Sequence, residues 1–146
     1  MTARGILNNN PGNIRKTDTI WLGERIPSTD KAFEQFTEPY YGIRALAKVL
    51  LAYNVKRGLK TIREMIWRWA PPQDNNDTEA YVRSVSQSMG IEPDMTISLQ
   101  SKPMLTAMVC AIIKHENGIQ PYEMDKIRPA CDDALGYVLP KENSHD

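Results

Sequence analysis

Ser101-Lys-Pro-Met-Leu-Thr-Ala-Met-Val-Cys-Ala-Ile-Ile-Lys-His-Glu-Asn-Gly118 is the most apolar stretch of the chain, and its spacing sets the fold. Ser101 before Lys102 and Pro103 marks a helix start. Met104, Leu105, Met108, Val109, Ile112 and Ile113 then form a stripe broad enough for a central core helix, which runs out near Glu116, Asn117 and Gly118. Working back toward the N-terminus, Asn76 with Glu79 offers a capping box. Tyr81, Val82, Val85 and Met89 share one face of the helix that follows, and Gly90 stops it. Thr61 with Glu64 caps another helix, striped by Ile62, Met65, Ile66 and Trp69 and ended by Pro71 and Pro72. From Gly42, the residues Ile43, Leu46, Val49, Leu50 and Tyr53 give the first helix. Residues 8 to 40, rich in turn formers, read as loops plus a small hairpin. Past Gly118, Pro121, Pro129 and Pro140 divide the chain into short segments, and residues 141–146 form a polar tail. The expected class is α+β but mainly α, a helical domain over 1–140 with a small irregular lobe.

Composition narrows the function. The chain has 146 residues, 41% hydrophobic and 25% charged, enough to bury a core. Eighteen basic residues balance eighteen acidic ones, so no bulk field holds nucleic acid or an anionic membrane. No stretch approaches the roughly 18 apolar residues of a membrane span, and Met1 to Asn10 carries no secretory pattern. Synthesis in the cytosol is expected, with export by another route. Cys110 and Cys131 lack disulfide-framework or zinc spacing, Cys110 reads as a buried free thiol, and His115 and His145 add no ligand pattern. No metal and no cofactor are expected.

Glu116 is the sharpest candidate for chemistry. It sits where the negative end of a helix dipole and apolar neighbours both disfavour ionisation, as a general acid requires. A solvated residue in the last helical turn is the alternative. Glycoside chemistry normally wants a second carboxylate, and the hairpin region offers Glu24, close to Trp21, and Asp30. Glu34 and Glu38 have no better claim, and Asp77 and Glu79 suit a helix start. Asn9, Asn10 and Asn13 supply amides that both donate and accept, which suits N-acetylated sugars, although a tight turn held by Asx bonds uses the same residues. Trp69 continues a core stripe, whereas Trp67 and Tyr81 are freer to meet a ligand.

The segments Arg4 to Arg15, Trp21-Leu-Gly23, Phe33 to Phe36, Tyr41-Gly-Ile-Arg-Ala45 and Arg68-Trp-Ala-Pro-Pro72, with Asn76 and Tyr81, resemble a family of small phage and prophage proteins. That family is described as virion-associated and suspected to be lysozyme-like. More distantly, Asn9 to Ile14, Trp21 to Gly23 and Phe33 to Ala45 are similar in order to flagellar-type glucosaminidases. Ala111 to Gly118 resembles the catalytic-Glu helix of those enzymes and of soluble lytic transglycosylases, but lies at the opposite end of the chain. The resemblance implies a circularly permuted lysozyme-like domain. In it Glu116 protonates a glycosidic oxygen, Glu24 assists, and Asn9, Asn10, Asn13 and Tyr41 position the sugar. Peptidoglycan glycan strands are the implied partner, at the cell wall or within a virion. A non-catalytic virion component, meeting other virion proteins, is the alternative.

Overall fold

A computed structural model describes residues 2–136, so the predicted tail and His145 lie outside the described residues. Among the described residues six α-helices follow one another: α1 (Arg4–Leu7), α2 (Pro39–Leu51), α3 (Ile62–Trp69), α4 (Thr78–Met89), α5 (Lys102–Asn117) and α6 (Met124–Leu135). The mainly helical expectation holds. The stripe of α5 is its centre, with Leu105, Met108, Val109, Ile112 and Ile113 fully buried. Leu46 and Leu50 of α2, Ile66 of α3, Val85 of α4 and Ile127 of α6 join the same apolar core.

The caps follow side-chain chemistry. Thr61 Oγ1 accepts from Glu64 N at 3.0 Å, and the Glu64 carboxylate returns to Lys60 N at 2.8 Å. Ser101 Oγ accepts from Met104 N at the start of α5. Gly90 and Gly118 end α4 and α5 at φ +70° and +77°, a left-handed conformation that glycine adopts without a Cβ clash.

Three expectations are corrected. α4 is capped by Asp77, whose Oδ1 accepts from Ala80 N at 3.1 Å, because Asn76 turns back to the Pro71 carbonyl and Glu79 pairs with Arg63. Pro140 lies outside the described residues, and Pro129 does not divide the chain: α6 runs unbroken through it. Its loss of one backbone hydrogen bond, about 3 kcal/mol, is offset by burying Ile127, Ala130, Cys131 and Ala134, the two larger of which contribute about 1.5–3 kcal/mol each. Asp133 of α6 also accepts from Tyr40 Oη at 2.6 Å and Arg44 Nε at 3.2 Å on α2.

The expected hairpin is instead a lobe of loops. Phe33–Phe36 runs through its middle, with antiparallel bridges Arg15–Phe33 on one side and Glu24–Phe36 on the other. Side chains replace the missing ladder. Asn10, fully buried, donates to the carbonyls of Ile14 and Glu34 and accepts from Ile14 N. Ile14 and Phe36 pack on Ala45 of α2, with Trp21, Tyr41, Val49 and Trp69 around them.

Candidate active-site cleft

Between this lobe and the helices lies a cleft of about 690 Å³, and Glu116, Asn13 and Trp21 all line it. Glu116 is half-buried in the last turn of α5. Its Oε1 accepts from Asn13 Nδ2 at 2.8 Å and its Oε2 from the Tyr81 hydroxyl at 2.7 Å. Tyr81 Oη in turn accepts from Trp69 Nε1 at 3.0 Å. Burial, with the Glu116 charge next in size, raises the Tyr81 pKa well above its ordinary value, so the phenol keeps its proton. His115 stacks on Tyr81 with ring centroids 3.7 Å apart. Burial lowers its pKa against the opposing pull of Glu116, leaving a neutral imidazole at pH 7.

The opening loop reaches Glu116 by close approach. Asn13 adopts φ +54°, which asparagine tolerates better than most residues, and Asn117 Nδ2 holds the Pro11 carbonyl at 2.8 Å. A Cβ on Gly5 would stand 2.7 Å from Asn117 Oδ1 and 2.9 Å from Asn13 Oδ1, so only glycine lets α1 sit here.

The remaining candidates stand elsewhere. Asn9 donates to the Phe36 carbonyl, and Asn10 is spent on the loop backbone. Glu24 accepts from Trp21 N at 3.1 Å and does not line the cleft. Asp30 accepts both Arg4 Nε and Nη2 at 2.7 Å, as well as Asn8, Ala32 N and Phe33 N, and so serves the lobe's architecture. Tyr41 covers Gly23. Trp67, 42% exposed, donates to Glu79 outside the cleft. Tyr81 lies beneath the cleft as a support for Glu116. Trp69, read from its stripe as core, is half-buried and forms a cleft wall.

Residue types alone did not mark Asp74, Tyr53, Arg15 or Arg57, all of which line the cleft. Asp74 ends a 3-10 turn after Pro72, and Tyr53 belongs to a π-helical turn, Ala52–Lys56, that continues α2. Such turns recur at functional sites, and in this one Tyr53 both packs against the core and lines the cleft. Cys110 is half-buried and Cys131 fully buried, both as free thiols, and burial pushes Cys131 up to about 12. Among the described residues no helix is long and apolar enough to cross a membrane.

No family model matches the chain. It is 41% identical over 129 residues to Protein P5 of Pseudoalteromonas phage PM2, a span covering 86% of this chain and 78% of that protein. The chain belongs to the Protein P5 family. Its association is therefore with phage.

Proposed function

We propose that the chain is a peptidoglycan-cleaving phage glycosidase of lysozyme or lytic transglycosylase type, on a lysozyme-like, circularly permuted domain. It is made in the bacterial cytosol and acts at the cell wall or from the virion. One observation carries the reading: an acid from the far part of the chain shares a cleft with an amide and an indole from its opening loop. Oε2 of Glu116 accepts from buried Tyr81 and Oε1 from Asn13, and these two bonds hold the carboxyl group in the cleft, within reach of a glycosidic oxygen that enters it. Trp21 and Trp69 offer faces for sugar rings, Asn13 an amide for an N-acetyl group, and Asp74 replaces Glu24 as the second carboxylate in the cleft.

Purified peptidoglycan in a turbidity assay tests this. Wild type clears the suspension and Glu116→Gln loses at least roughly a hundredfold in rate, the scale of a lost general acid. Full rate in Glu116→Gln would remove Glu116 from the chemistry. A second reading, a non-catalytic virion component, rests on the same two hydrogen bonds, which also tie the opening loop to α5 and α4. Wild type inert over a broad pH range on several wall types would favour that reading instead.

A further inference from the structure

Two arginines line the cleft with Glu116, and among the described residues neither Arg15 nor Arg57 has a carboxylate at ion-pair distance. Arg15 is held in place. Its guanidinium lies 4.9 Å from the Phe33 ring centroid, and the Arg15–Phe33 backbone bridge fixes the approach. Arg4 lies 4.6 Å from the same centroid, and Asp30 neutralises it bidentately. Phe33 thus carries two cations, one already paired and one whose N–H edges remain for a ligand.

Arg57 stands just past the π-helical turn, its own N–H donating to the Ala52 carbonyl at 3.1 Å. Tyr53, from that turn, lies under Arg68 at 5.5 Å. Arg57 lines the cleft together with Tyr53. Asp74 and Glu116 line the same cleft, but among the described residues neither is at ion-pair distance from Arg15 or Arg57, so both guanidinium groups keep their N–H edges for a ligand.

We propose that Arg15 and Arg57 form an anion-reading rim that selects glycans bearing carboxylate substituents over neutral N-acetylated glycans of the same length. The inference rests on the proposed function and names which part of the strand is read. Planar guanidinium forks match carboxylates, and the rest of the wall, aromatic and amide, serves the sugar rings.

The test is binding by full-length Glu116→Gln of two tetrasaccharides. One is a neutral N-acetylglucosamine tetramer; the other alternates N-acetylglucosamine with N-acetylmuramic acid, whose lactyl carboxylates are free. Wild type, under conditions where mass spectrometry finds both tetramers intact, makes the result independent of that substitution. The acidic tetramer is expected to bind roughly tenfold tighter at low salt. Added salt shrinks the advantage, and Arg15→Gln with Arg57→Gln abolishes it, weakening binding of the acidic tetramer more than that of the neutral one. Equal binding of both tetramers, or an advantage surviving the double substitution, overturns the rim and leaves the proposed function standing. Binding of neither overturns the rim too, and wall clearing by wild type then decides whether the proposed function falls with it.

Discussion

An indole N–H has a proton to give and no lone pair to offer, and this fixes the direction of the hydrogen bonds behind Glu116. Trp69 donates to Tyr81, so the one proton of Tyr81 points at Glu116 Oε2. Tyr81→Phe removes both bonds and strands the Trp69 donor. It should cost about 1–3 kcal/mol of stability in urea denaturation and leave Glu116 less well oriented. A midpoint equal to wild type would show the chain of bonds to be idle. Glu116 itself was legible, since helical register and Gly118 put it at a helix end. The part played by Tyr81 was not: read as freer to meet a ligand, it is buried, since its place on the α4 stripe puts the ring in the core and says nothing of its hydroxyl.

At the scale of elements, helices with an apolar stripe and a capping residue were readable, and α3, α4 and α5 fall where Thr61, Gly90 and Ser101 put their ends. α6 was not, because Pro129 is a local signal and the burial that outweighs it is tertiary. The lobe was misread for a related reason: its extended pieces are too short for a ladder and depend on Asn10 and Asp30, whose partners lie up to 26 residues away. α2 begins at Pro39, and Gly42 lies inside it. A Cβ there would meet the Asn9 carbonyl at 1.8 Å. Gly42→Ala should therefore push the opening loop off α2 and destabilise the protein by about 1–3 kcal/mol or more, although alanine is the better helix former. Differential scanning calorimetry checks it, and a raised Tm would mean that the loop yields freely.

For the molecule as a whole, two carboxylates of the lobe give opposite pH dependences. Arg4 above all, then Phe33 N and Asn8, holds Asp30 far below its ordinary 3.8, so its stabilisation is present above that value and fades as pH falls below it. Burial first, then Glu24, raises Glu34 above its ordinary 4.5, so its contribution is greatest below that value and is lost as pH rises through the raised one. Denaturation midpoints across pH 3 to 8, roughly the range in which carboxylates and histidines titrate, should show Asp30→Asn with a steady deficit that only begins to shrink at the acid end, and Glu34→Gln gaining most near neutrality. A pH-independent gap for either variant would remove that residue from the titration. The cleft was legible only in part: the resemblance brings Glu116, the Asn13 loop and Trp21 to one cleft, but no spacing rule brings Arg57 or Asp74 to them, since that needs the packing of α2, α3 and α5.

The bonds Asn13–Glu116 and Asn117–Pro11 join positions 103 and 106 residues apart. A growing polypeptide on the ribosome therefore releases the residues of the first wall long before those of α5, and the two can meet only once about a hundred further residues have emerged. Whatever this pocket does, it cannot begin until that distant helix has docked.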